Sequence, residues 1–342
     1  MLTEDGKYND EDTFDFLCDQ LSKGDDSFIY NSNSADSLAS CCRLRNEVDT
    51  KEFNFTNGNI GIMTGSKSVI TINLNRLAQL SDGIEGFFSD LSTICNRIAQ
   101  YHVAYNELIW DSINNGLLPV YTAGFIDADK QFLTIGLNGL NEAAEWFDYD
   151  ISNNAEYLSF VNEIGKTIDK CNKCNSGTYF GHKIKLNCEF VPAESLGVKN
   201  CNWDKTDGFE VPYDRVLYSS YVFQPFKPNT VLDRIAMHGS KSLGTMGGGS
   251  ACHINIAKPF TKDQYKRFLE YAAKVGCSYL TFNLVNTIFE CGHTSFTDED
   301  TCPICGAKAK DKSMPIIGYR TAISQWSSAR QQFFKSWILA TE

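Results

Sequence analysis

The sequence predicts an α/β protein whose sheet strands lie buried between helices. Short runs rich in β-branched residues alternate with long segments in which apolar residues recur at helical spacing. Hydrophobic residues make up 42% of the 342, with 23 Phe and 15 Tyr, ample for a sizeable core. No internal repeat or low-complexity linker interrupts the alternation, which indicates a sheet covered by helices.

Residues 1–40 read as one helix followed by loop, with Asp25-Asp26 and Asn31-Ser32-Asn33-Ser34 around a short apolar Phe28-Ile29-Tyr30. Ser68 to Leu74 follows a Gly-bearing turn and reads as a strand. Ile84, Phe87, Phe88, Leu91, Ile94, Cys95 and Ile98 mark a long amphipathic helix. Phe132 to Leu137 is a second strand, ending in the turn Gly139-Leu140-Asn141-Glu142 that starts a helix. Lys185 to Val191 makes a third strand and Cys252 to Ile256 a short fourth. Thr261-Lys262-Asp263-Gln264 has the form of a capping box, and Tyr265, Phe268, Leu269 and Ala272 give the stripe of the helix behind it. A last strand, Tyr279 to Val285, leads to a boundary near residue 286, where the chain becomes cysteine-bearing and acidic.

A net charge of −11 argues against a nucleic-acid polymer as partner, because phosphate-backbone affinity needs clustered Lys and Arg. No apolar run approaches the roughly 18 residues of a membrane span. The start, Met1-Leu2-Thr3-Glu4-Asp5-Gly6, has neither the basic region nor the apolar core of a signal peptide. Thirteen cysteines, an odd number, then suggest reduced thiols and metal ligands in a cytoplasmic setting rather than a disulfide scaffold.

Cys302-Pro303-Ile304-Cys305-Gly306 has the spacing of a metal knuckle: two thiols present sulfur to one tetrahedral ion, and Gly306 permits the turn behind them. Cys291 and His293 are the candidates for the other two ligands, with Cys277 as the alternative to His293. The expected site is a closed, structural metal site. A second pair, Cys171-Asn172-Lys173-Cys174, has no partner pair nearby and reads as a helix end with incidental thiols.

Further motifs occur in a fixed order. They are Cys41-Cys42-Arg43-Leu44; Gly65-Ser66-Lys67-Ser68-Val69-Ile70-Thr71-Ile72-Asn73-Leu74; Thr134-Ile135-Gly136-Leu137-Asn138-Gly139-Leu140-Asn141-Glu142-Ala143; Asn187-Cys188-Glu189-Phe190-Val191-Pro192-Ala193-Glu194; and Gly247-Gly248-Gly249-Ser250-Ala251-Cys252-His253. Gly318-Tyr319-Arg320 follows, with Trp326 at fixed distance. In this order they resemble the C-terminal half of the anaerobic (class III) ribonucleotide reductases, which are glycyl-radical enzymes, over residues 38–335.

The resemblance implies the C-terminal half of a ten-stranded α/β barrel. Residues 1–286 would form the partial barrel with its thiyl-cysteine loop, 287–312 the zinc knuckle, and 313–342 the radical loop and last helix. Gly318 would store the glycyl radical, since a glycine radical is planar and uncrowded, and Cys42, or Cys41 beside it, would become the thiyl. Asn73 would either hydrogen-bond a ribose hydroxyl or cap its strand. Gly136, Asn141 and Glu142 would form a turn whose backbone amides hold a triphosphate, or Glu142 would simply cap the helix. Glu189 or Glu194 would serve as acid or base, or form a salt bridge; the Gly247–Gly249 run would approach phosphate or make a sharp turn; and His253 would be a core histidine.

The implied reaction is reduction of a ribonucleoside triphosphate to its 2′-deoxy form. The implied partners are a separately encoded N-terminal half, a radical S-adenosylmethionine activating enzyme and a second copy in a homodimer. Pro315 departs from the arginine common three residues before the radical glycine. Other expectations are a silent zinc-binding remnant regulating a full-length reductase, or another glycyl-radical enzyme.

Overall fold

The computed structural model describes residues 2–3, 6–32, 37–40, 43–47, 53–54, 58–59, 65–191, 194–218, 220–297, 299–316, 319–337 and 340; at 37–59, 194, 316 and 319 only the backbone is described. Strands Ser66–Asn73, Phe132–Asn138 and Leu186–Glu189 form a parallel sheet with Phe132–Asn138 at its centre, so that Gly136 lies between Thr71 and Glu189. Cys252–Ile256 and Tyr279–Leu284 are parallel in a second sheet, and Phe28–Tyr30 adds an antiparallel edge.

Backbone contacts from the glycine run join the two sheets. Gly248 N–H donates to Cys188 O at 2.8 Å, Phe190 N–H donates to Gly249 O at 3.2 Å, and Gly249 bridges Glu189 in parallel. Only glycine fits: a Cβ on Gly248 would lie 2.8 Å from Cys188 O, and Gly249 has φ +77°. Five parallel strands thus follow one another in chain order, from Ser66–Asn73 to Tyr279–Leu284. Among the described residues they do not close into a barrel, and Ser66–Asn73 pairs on one side only.

Helices Gly83–Asn114 and Ala155–Asn175 are the crossovers of the first sheet, and Lys262–Val275 is that of the second. Phe87, Leu91, Cys95 and Ile98 pack with Phe160, Val161 and Ile164 on Ile72, Ile135 and Leu137. Tyr265, Phe268, Leu269 and Ala272 cover Ile254, Leu280 and Phe282, joined by Cys18 and Leu21 of helix Glu11–Ser22. Each buried Leu, Ile, Val or Phe among them contributes about 1.5–3 kcal/mol. The capping box at Thr261 and Gln264 is present, and Gly276 ends that helix at φ 76°.

One expectation needs correction. Phe28–Tyr30 is a strand rather than loop: its partner, Tyr279–Leu284, is remote in sequence, and three residues carry no periodicity. Strand Ala309–Ile316 runs through position 312 and belongs to one antiparallel sheet with Thr294–Ser295, Asn286–Phe289 and Tyr319–Ala322. Helix Glu194–Thr206, whose apolar pattern is weak, crosses the ends of the first strands, with Asn200 Nδ2 donating to Asn138 Oδ1 at 2.9 Å.

That crossing depends on Gly197, where a Cβ would stand 2.3 Å from the backbone oxygen of Tyr218. Gly197→Ala is therefore expected to lower stability by about 1–3 kcal/mol. A denaturation midpoint equal to that of the unaltered chain would contradict the packing.

Candidate functional site

Side chains alternate between the two faces of a strand. Ile70, Ile72, Ile135, Leu137, Cys188, Ile254, Ile256, Leu280 and Phe282 face the helices. The other face then carries Thr71 and Asn73 on the first strand, Thr134, Gly136 and Asn138 on the second, and Asn187 and Glu189 on the third. His253 and Asn255 continue it on the fourth, Thr281 and Asn283 on the fifth. Parallel strands covered on both sides ordinarily read as unbroken apolar runs. Here the second face is largely polar, with Val69, Phe132 and Tyr279 toward its amino end, yet Thr134, Asn138, Glu189, Asn255 and Asn283 are buried.

Within that face, Thr134 Oγ1 donates to Asn187 Oδ1 at 2.6 Å. Asn283 Nδ2 reaches Asn255 Oδ1 at 3.0 Å and His253 Nδ1 at 3.2 Å. Burial pushes His253 down to about 4, reinforced by the Arg330 charge, so the ring is neutral. The alternation in Thr-Ile-Asn, Thr-Ile-Gly-Leu-Asn, His-Ile-Asn and Thr-Phe-Asn is the signal that reveals Thr71, Asn138, Asn255, Thr281 and Asn283.

Asn73 ends its strand and caps helix Leu74–Leu80, its Oδ1 accepting from Arg76 N–H at 3.3 Å. Its Nδ2 donates to both oxygens of the buried Asp204, at 2.9 and 3.0 Å. Asp204 also accepts from Asn75 Nδ2 at 2.9 Å, Tyr218 OH at 2.8 Å and Arg76 Nε at 2.7 Å. Gly136 does not lie in the strand-to-helix turn; it is inside the strand, where a Cβ would be 2.5 Å from Thr71 Oγ1. The turn itself is made by Gly139, at φ 79°.

Asn141 and Glu142 point inward: Asn141 Nδ2 donates to Phe223 O at 3.2 Å, and Glu142 pairs with Arg215 at 3.0 Å. Burial pushes the Glu142 carboxyl up to about 7, with the guanidinium opposing. Arg215, itself over the Phe226 ring at 3.9 Å, is 73 residues from Glu142, so no local pattern announces the pair. Glu189 lies on the polar face and is fully buried, and Glu194 opens helix Glu194–Thr206.

Cys41, Cys42 and Gly318 lie outside the described residues. Around the first two, Ser37–Ser40 and Arg43–Glu47 pair antiparallel, Ser40 opposite Arg43. On either side of 317–318, Ile316 pairs with Tyr319. Arg320 ties this tail to the fifth parallel strand. Its guanidinium donates to Leu284 O at 3.2 Å, to Ser313 O at 3.0 Å, and through Nε to Asp26 at 2.9 Å. Leu284 is the carboxyl end of that strand, the end at which α/β barrels build their sites. Val285, Met314 and Trp326 pack together beside it.

The donor atoms of Cys291, His293, Cys302 and Cys305 all lie within 4.8 Å of one another. Cys291 Sγ and Cys302 Sγ are each 3.5 Å from His293 Nδ1. Ligands about 2.3 Å from a tetrahedral ion stand ~3.8 Å apart, so three thiols and one imidazole fit zinc. Burial raises the Cys302 thiol, but the Ile304 and Cys305 amides and His293 outweigh it and bring it down to about 6. Cys277 is instead buried in the second apolar core. Cys171 and Cys174 occupy the last turn of helix Ala155–Asn175, and all eleven described cysteines are free.

Two predictions follow from these groups. The purified chain is expected to hold one zinc, and Cys302→Ser to lower metal affinity by at least tenfold in competition with a chromogenic chelator. Equal retention by both proteins would exclude this ligand set. His238 and His253 are both depressed to about 4 by burial. Between pH 4 and the ordinary histidine value near 6.5, the unfolded chain binds protons that the folded chain does not, so stability rises with pH. The urea midpoint should fall on acidification from about 6.5 to 4, with a shallower slope in His253→Gln; a flat profile would refute the buried neutral state.

Comparison with known proteins adds identity to this geometry. The family model described as anaerobic ribonucleoside-triphosphate reductase matches residues 1–336. No curated protein sequence matches. A solved anaerobic ribonucleotide reductase superposes at TM-score 0.83 with 27% identity, covering 100% of this chain and 54% of that one. The Thermotoga maritima anaerobic ribonucleotide reductase in complex with dATP and CTP gives 0.79 with 28% identity over 98% and 54%. The same enzyme with glycerol in the active site gives 0.78 with 28% identity over 97% and 53%. The chain thus spans about half the length of these structures. It belongs to the anaerobic ribonucleoside-triphosphate reductase family.

Proposed function

We propose that this chain is the radical-bearing portion of an anaerobic reductase that converts ribonucleoside triphosphates to 2′-deoxyribonucleoside triphosphates for DNA synthesis. The observation that carries the proposal is the buried polar face of five parallel strands, with the tail fastened at its carboxyl rim by Arg320. Such a face offers amides, hydroxyls and one carboxylate to a hydroxyl-bearing substrate while excluding bulk water. In this reading Gly318 stores the radical and takes a hydrogen atom from the thiol of Cys42, or of Cys41. The thiyl then removes a hydrogen atom from a ribose carbon.

Asn73, Gly136 and Glu189 belong to the substrate-facing surface. Asn141, Glu142 and Asp204 support it from behind through their buried hydrogen bonds. Glu194, two residues after Pro192 in the sequence, is retained as a candidate acid or base. Cys291, His293, Cys302 and Cys305 would hold zinc, whose chemistry is structural: it fixes the loop that precedes the tail.

The remaining half of a ten-stranded barrel would pair along the open edge of Ser66–Asn73, a strand edge that otherwise invites unspecific association. We assign the completed enzyme to a cytoplasmic homodimer and radical installation to an activating enzyme using S-adenosylmethionine. Among the described residues no helix is long and apolar enough to cross a membrane.

The test is anaerobic electron paramagnetic resonance of the completed enzyme after activation. A doublet is expected from the unaltered protein and none from Gly318→Ala, while Cys42→Ser should keep the doublet and abolish deoxynucleotide formation. If Cys41→Ser alone does so, the thiyl belongs to Cys41. No doublet under any condition would favour a silent, zinc-binding regulator.

A further inference from the structure

At the amino ends of the parallel strands, remote from the rim that holds the tail, lies a cavity of about 180 Å³. Phe132 and Leu186, the first residues of their strands, form its floor, and Asn172, Asn187 and Thr245 form its polar wall, with Asp169 beside them. Asn172 is 6% exposed, yet its Oδ1 has no hydrogen-bond partner, and neither does the buried Oγ1 of Thr245. Asn187 Oδ1 is engaged by Thr134 Oγ1, which leaves its amide nitrogen as the available end. The wall is built by close approach. Gly165 of helix Ala155–Asn175 has no side chain, and a Cβ there would stand 2.4 Å from Thr245 Oγ1.

A buried carbonyl or hydroxyl without a partner costs about 1–3 kcal/mol, so two in one cavity call for an occupant. At roughly 30 Å³ per molecule the space would take about six waters, or one small organic molecule. Its chemistry is set by the wall: an amide oxygen requires a donor, an amide nitrogen requires an acceptor, and the threonine hydroxyl accepts either. Asp169 is neutralised by Lys173 at 2.6 Å, so the mouth carries no net charge to select an ion. A hydroxyl group satisfies both kinds of partner at a single atom and without a charge. We propose that this cavity is a binding site for a small neutral polyol or sugar-like molecule, bridged between Asn172 and Thr245 with Asn187 as its donor. The site shares no side chain with the metal cluster or the tail.

The experiment is crystallography of the full chain grown without polyols and then soaked separately in glycerol, erythritol and ribose, with saturation-transfer NMR on the same compounds in solution. Expected are polyol density touching Asn172 Oδ1 and Thr245 Oγ1, and at least a tenfold loss of affinity in Thr245→Val and in Asn172→Leu. Density for ordered water only, binding at crystal concentration only, or affinity unchanged in both variants would overturn the proposal. Should either variant fail to fold, density in the unaltered chain decides the question. Because no radical, metal or nucleotide enters the measurement, the result is independent of whether the reductase assignment holds.

Discussion

The arrangement depends on backbone touching backbone where the glycine run meets the third parallel strand. Without Gly248 N–H on Cys188 O and Gly249 against Glu189, two three-stranded sheets would be separate bodies. Their polar faces would then not be continuous. The contact tolerates no side chain at Gly248, so one residue's lack of a Cβ sets the geometry of a surface built by five strands. Asp204 and Arg215 act at the next level. Each gathers several buried partners and locks a strand end or helix start behind that surface.

What sequence could reveal was what local chemistry enforces. The strands at Phe132, Cys252 and Tyr279 and the capping box at Thr261 are legible because β-branched runs and cap residues act within a few positions. The four-donor cluster is legible because cysteines at knuckle spacing have few other uses. Partners set by distance in sequence were hidden. Arg215 meets Glu142 across 73 residues, Asn73 meets Asp204 across 131, and Arg320 meets Asp26 across 294. Gly136 was misplaced for a related reason: a glycine beside a predicted turn looks like part of it, whereas the crowding that demands it comes from Thr71 on the neighbouring strand and from Val191, two residues past the end of the other.

Polarity carries the functional inference more than any single residue does. An interior face of Thr, Asn, His and Glu sacrifices apolar burial along every strand, and a fold with no use for such a surface would have filled it with Val and Ile. Much of its hydrogen bonding is internal, as in the Asn283–His253 and Thr134–Asn187 pairs, so the side chains are held in place before any ligand arrives.

Strand Ala309–Ile316 begins opposite Phe289, two residues from Cys291, and ends opposite Tyr319, the residue after Gly318. One ladder, with a register shift between Ile288 and Phe289, therefore spans the thiol–imidazole cluster and the tail. Displacing either end works on the other as a lever does. The two cannot be excised, loosened or swapped as independent modules, and strain introduced at one would be felt as misalignment at the other.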